Sequence, residues 1–106
     1  METKSAIGAL AALAQQSRLA VFRLLVQTGP QGRVASNIAE QLGLPSSSLS
    51  FHLKELTHAG LIVSRQDGRC IIYSADFTAM TALLGFLTEN CCGGNPCPPF
   101  PRACTP

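Results

Sequence analysis

Between Gly43 and Gly60 the chain reads Gly-Leu-Pro-Ser-Ser-Ser-Leu-Ser-Phe-His-Leu-Lys-Glu-Leu-Thr-His-Ala-Gly, a short turn followed by one amphipathic helix. Leu49, Leu53 and Leu56 fall on a single stripe, while Ser47, Phe51, Lys54 and His58 point away from it. A face of small hydroxyls and one lysine suits a helix pushed into a groove, because serine brings a donor and an acceptor close to phosphate and base edges without filling the space. Gly43 can end a preceding helix in the left-handed conformation, and Pro45 is tolerated at the start of the next. The expected unit is helix, tight turn, helix.

The rest of the chain is arranged around that unit. From Ser5 to Ala14, the residues Ile7, Leu10, Ala11, Leu13 and Ala14 give a first helix with a broad apolar face. Gln15-Gln16-Ser17 interrupts it, and Ser17 can cap a second helix running to about Thr28, apolar enough to be central and buried nearly all round. Gly29-Pro30 stops that helix. A third, near Val34 to Leu42, turns Val34, Ile38, Ala39 and Leu42 inward and leads into the Gly43 turn.

After Gly60 the period changes from 3.6 to 2. Leu61 to Gln66 and Arg69 to Ser74 are β-rich arms around Asp67-Gly68, a strong hairpin signal because both central positions of a type I′ turn need φ > 0. A two-stranded wing therefore follows the helix, with Arg65 and Arg69 flanking its tip symmetrically. Asp76 can cap a fifth helix in which Phe77, Met80, Leu83, Leu84 and Leu87 make an apolar stripe ending near Asn90. First and last helices together carry more apolar surface than one small core needs, which points to a dimer interface between them.

At 106 residues with a net charge of +2, the chain is one small domain that a dimer would help stabilise. No apolar run approaches a membrane span and the start of the chain lacks a secretory pattern, so a cytoplasmic protein with no membrane partner is expected. Four of the five cysteines fall between Cys91 and Cys104. The odd count and the missing signal favour reduced thiolates awaiting a soft ion over a disulfide framework. The segment 91–106 is rich in Pro, Gly and Cys and cannot sustain a helix or strand, which divides the chain into a winged helix-turn-helix body, residues 1–90, and a Cys/Pro-rich tail, residues 91–106.

The helix order, with Ser50-Phe51-His52-Leu53 in the recognition helix, Ala59-Gly60-Leu61-Ile62 after it and Asp67-Gly68-Arg69 at the wing tip, resembles the ArsR/SmtB family of metal-responsive winged-helix repressors. Gln16-Ser17-Arg18-Leu19 through Leu24-Leu25 is similar to that family's opening motif, with glutamine in place of the usual acid-proline pair. The resemblance implies a mainly α fold with a β-hairpin wing, ordered α-α-α-α-β-β-α, in a cytosolic homodimer that sits on palindromic operator DNA and leaves when a metal or metalloid binds. Two of the family's inducer sites are missing here. The stretch from Arg33 to Glu40 has no cysteine, and the last helix offers Asp76 and Glu89 with no histidine. Arsenic-responsive relatives with a vicinal cysteine pair and a third cysteine just after the last helix are what Cys91, Cys92 and Cys97 look like.

Soft thiolates select thiophilic ions over magnesium, calcium or manganese. As(III) and Sb(III) keep a lone pair and favour three sulfurs in a pyramid, which Cys91, Cys92 and Cys97 can supply across the Gly93-Gly94-Asn95-Pro96 loop. Cys104 is a fourth thiol, able to join the site from the same or the other subunit. Zinc on all four thiols, cadmium, lead and a redox switch are the alternatives, and adjacent cysteines are awkward in a closed tetrahedral site. A metal buffer is the rival from another functional class. Cys70, among Ile71, Ile72 and Tyr73, reads as a small core or edge residue. The candidate DNA contacts are Ser47, Ser48, Ser50, Phe51, His52, Lys54, Arg65 and Arg69, with Lys54 on phosphate, His52 holding a backbone or phosphate oxygen, and Phe51 either against a thymine methyl or packed on the wing. No nucleophile with a base and orienter, no paired carboxylates and no phosphate-cradling glycine loop appears, so no enzyme is expected.

Overall fold

The computed structural model describes residues 1–94 of the chain. In order they form α1 (Thr3–Leu13), α2 (Gln16–Thr28), β1 (Arg33–Val34), α3 (Ala35–Leu42), α4 (Ser46–His58), β2 (Ile62–Asp67), β3 (Cys70–Ala75), α5 (Phe77–Leu87) and a short 3-10 turn, Cys91–Gly94. This is the expected winged helix-turn-helix with one strand more. β1 pairs antiparallel with β3, Arg33 opposite Tyr73 and Val34 opposite Ile72, so the wing is a three-stranded sheet ordered β1-β3-β2. Two residues are too few to show a period of 2, and their partner lies far along the chain. Among the described residues no single helix is long and apolar enough to cross a membrane.

The core forms where the stripes converge. Val21 and Leu25 from α2, Ile38 from α3, Leu49 and Leu56 from α4, and Leu61 and Ile62 at the start of the wing are almost wholly buried, each contributing roughly 1.5–3 kcal/mol of apolar transfer energy. α2 is buried on one face only: Val21, Phe22 and Leu25 point inward, whereas Leu19 is exposed. Its expected all-round burial fails because a single layer of helices and one small sheet surround it on only part of its circumference.

Local chemistry sets the helix ends. α2 is capped by Gln15 rather than Ser17: the Gln15 Oε1 accepts from the Arg18 N–H at 2.8 Å, moving the start of the helix forward. Gly43, with φ +65°, ends α3 in the left-handed region, and the Leu44 N–H closes the turn onto the Ala39 carbonyl at 3.0 Å. Asp76 caps α5 as expected, its carboxylate accepting from the Ala79 N–H at 3.0 Å. Gly32, with φ +71°, sits so close to β3 that a Cβ there would lie 2.4 Å from the Tyr73 carbonyl oxygen. Only glycine lets β1 reach its partner strand at that point.

Candidate nucleic-acid interface and cysteine pair

α4 presents its two faces as its sequence requires. Leu49, Leu53 and Leu56 are buried, and Ser47, Ser48, Ser50, Phe51, Lys54 and His58 are exposed. No side chain caps the helix, so the first-turn amides at Ser46, Ser47 and Ser48 stand beside three serine hydroxyls, a donor-rich end suited to an anion. Phe51 is 55% exposed, and its ring stands edge-on to that of His52 with the centroids 5.9 Å apart. The His52 Nδ1 is buried and has no hydrogen-bond partner among the described residues, so that nitrogen holds no backbone oxygen.

Beside α4 the wing forms a groove of about 400 Å³ with it, lined by Ser50, Lys54 and Thr57 on the helix and by Ser64 and Tyr73 on the sheet. Thr57, Ser64 and Tyr73 are groove residues that the sequence reading did not include. Thr57 repeats the helical spacing of Ser50 and Lys54, a signal that was available, but the two sheet residues reach the groove only through strand pairing.

The wing tip departs from the expected geometry. Asp67 pairs with Cys70, so the two loop residues are Gly68 and Arg69, and the positive φ falls on Gly68 alone. That is the pattern of a type II′ turn, not a type I′ turn centred on Asp67-Gly68. Arg69 therefore occupies the turn itself. Arg65 lies along β2, and its guanidinium donates to the Gln31 carbonyl at 2.8 Å and the Pro30 carbonyl at 3.4 Å. The two arginines are not equivalent: one ties the wing to the loop after α2, and the other stands at the tip. Cys70, beside the hairpin tip and opposite Asp67, is exposed.

Past α5 the backbone reverses. Asn90 and Cys92 have φ of +57° and +56°, followed by Gly93 and Gly94, also left-handed. A non-glycine residue held there costs about 1–2 kcal/mol. In extended chain successive side chains point oppositely, but this turn sets the Cys91 and Cys92 sulfurs 3.6 Å apart. Two metal–sulfur bonds of about 2.3 Å meeting at a tetrahedral angle put their sulfurs roughly 3.8 Å apart. Adjacency is thus no obstacle to sharing one soft ion, zinc included. The Cys91 N–H donates to the Thr88 carbonyl at 3.0 Å, joining the thiol turn to the end of α5. Cys97 and Cys104 lie outside the described residues.

An exposed, uncapped recognition helix beside a hairpin wing defines a winged helix-turn-helix DNA-binding protein. Residues 13–65 match the model of a helix-turn-helix domain family. Nodulation protein NolR of Rhizobium meliloti is 32% identical over 88 residues, 83% of this chain and 70% of that protein. An ArsR-like transcriptional regulator from Rhodococcus sp. RHA1 has a TM-score of 0.71 at 26% identity, over 79% of this chain and 76% of that one. The homodimeric winged helix-turn-helix DNA-binding domain of Mb0332 from Mycobacterium bovis, a possible ArsR-family regulator, has a TM-score of 0.64 at 26% identity, over 82% and 81%. The chain belongs to the ArsR family of winged helix-turn-helix transcriptional regulators.

Proposed function

We propose that the protein is a cytoplasmic homodimeric repressor that occupies operator DNA and is released when As(III) or Sb(III) binds thiolates of Cys91, Cys92 and Cys97, with Cys104 available as a fourth ligand. The observation that carries this reading is the convergent Cys91–Cys92 pair at the end of α5. α5 is also where the apolar surface is left over. Leu84 and Leu87 are each 55% exposed, and Ile7 on the adjoining α1 is 61% exposed, a patch that a second copy would cover. The homodimeric M. bovis relative supports the same assembly. Closing a three-sulfur pyramid at the end of this interface shifts how the subunits meet, and with it the separation of two recognition helices that must match one helical turn of DNA, about 34 Å. Coupling of about 1–3 kcal/mol suffices.

The test is a titration of labelled operator complex with arsenite, antimonite, zinc and cadmium. Release by the two trivalent ions at near-stoichiometric concentration is expected. Release by zinc or cadmium alone would transfer the site to a divalent ion, and tight metal binding without sequence-specific DNA affinity would make the chain a buffer.

The DNA contacts follow from the same reading. Ser47, Ser48, Ser50 and Phe51 face the DNA groove, Lys54 and Arg69 take phosphates, and Arg65 positions the wing. Arg69→Ala should weaken binding to all sequences and lower the salt slope by about one. Arg65→Ala should weaken binding with a smaller change of slope, because it frees the wing from Pro30 and Gln31. Operator affinity measured from about 50 to 200 mM salt checks both, and equal slope losses would mean that Arg65 meets phosphate directly.

A further inference from the structure

A second cavity, about 580 Å³, opens between α1, the first turn of α2 and the C-terminal end of α4. It is within the size range of small-molecule sites, and neither the cysteine turn nor the serine end of α4 belongs to it. Arg18 and Lys4 line it against a single carboxylate, Glu55, an excess of one positive charge that fits a monoanion better than a zwitterion or a cation. The Arg18 Nε donates to the Ala12 carbonyl at 2.6 Å, which fixes the guanidinium plane at the wall and suits it to a carboxylate. Gly8, Ala11 and Ala12 give the α1 side a shallow apolar surface, and a Cβ at Gly8 would meet nothing within 4 Å, so the space is open where a carbon skeleton would lie. At 100° per residue Lys4, Gly8 and Ala11 form a face of α1 distinct from that of Ile7 and Leu10. A dimer built on the latter leaves the cavity side of the helix unused.

We propose that this cavity binds a small hydroxylated monocarboxylic acid, its carboxylate on Arg18 and its hydroxyl donating to Glu55, and that the acid is an effector separate from the tail thiols. α4 is the transmitting element, since Glu55 and His58 line the cavity and His58 also borders the groove between α4 and the wing. The effector part rests on the DNA-binding reading, whereas acid binding itself does not.

Calorimetric titration of the full chain with 4-hydroxybenzoate should show one saturable site per chain. Arg18→Ala should lose about tenfold or more in affinity. Gly8→Leu, a change that favours the helix and fills the open space, should abolish binding with unchanged circular dichroism, and it decides the matter if Arg18→Ala fails to fold. Operator affinity of the wild type should change about fivefold or more with saturating acid, and that of Gly8→Leu should not. No saturable heat, or equal binding by Gly8→Leu, overturns the site. Acid binding with unaltered operator affinity overturns the effector role.

Discussion

Leu84→Glu should turn the protein into folded monomers and lower its affinity for a palindromic operator by about 100-fold or more. The side chain is more than half exposed in the single chain, so glutamate there is solvated in a monomer and the fold survives. In a dimer sealed by α1 and α5 the same carboxylate is buried without a partner, at a cost of several kcal/mol. The neighbouring Leu83 behaves differently, because it is buried within the chain and its replacement would unfold the protein before reporting on assembly. Sedimentation velocity separates the cases: circular dichroism of the wild type with monomer mass supports the interface, and an unchanged dimer moves it to another surface. Loss of operator binding follows from assembly, since two half-sites one helical turn apart are held only by linked recognition helices.

What the sequence made legible was local. The stripe of Leu49, Leu53 and Leu56, the left-handed Gly43 and the Asp76 cap each depend on residues within one or two helical turns, and all three stand in the structure. What stayed hidden needed partners distant along the chain. β1 exists because β3 comes back beside it, the wing's hold on the loop after α2 is an arginine 34 residues from its carbonyl, and the cavity beside α1 gathers Arg18 and Glu55 from separate helices. Two local errors have simple causes. Serine is the more frequent helix cap, yet Gln15 already stands where the chain is extended, and the Asp67-Gly68 pair reads as a turn centre until the Asp67–Cys70 pairing shifts the loop by one residue. Of the tail, the vicinal pair was legible as chemistry, but its convergence required the left-handed Cys92, which no periodicity announces. Cys97 and Cys104 remain readings from sequence.

Cys91→Ser, Cys92→Ser and Cys97→Ser should each keep full operator affinity and lose release by arsenite or antimonite. A serine hydroxyl stays protonated and hard, a poor replacement for a thiolate toward a soft ion, and two sulfurs do not complete a three-sulfur pyramid. None of the three lies on α4 or the wing, so DNA binding without inducer is untouched. Cys70→Ser should leave induction nearly intact, because Cys70 sits beside the tip of the wing hairpin opposite Asp67, on a different element from the thiol turn. Cys104→Ser decides the geometry: no loss defines a three-thiol loop, and complete loss puts Cys104 in the site. Mixed dimers of a Cys91→Ser chain with a Cys104→Ser chain then distinguish the two arrangements of such a site. If each site lies within one chain, both are broken; if each takes Cys104 from the opposite subunit, one remains whole, built from the intact Cys91, Cys92 and Cys97 of one chain and the intact Cys104 of the other. Half-maximal release in the mixed dimer is the signature of bridging. Retained release in all of Cys91→Ser, Cys92→Ser and Cys97→Ser sinks the thiol sensor and leaves an ArsR-family regulator answering to another signal, for which the cavity beside α1 is the first place to look.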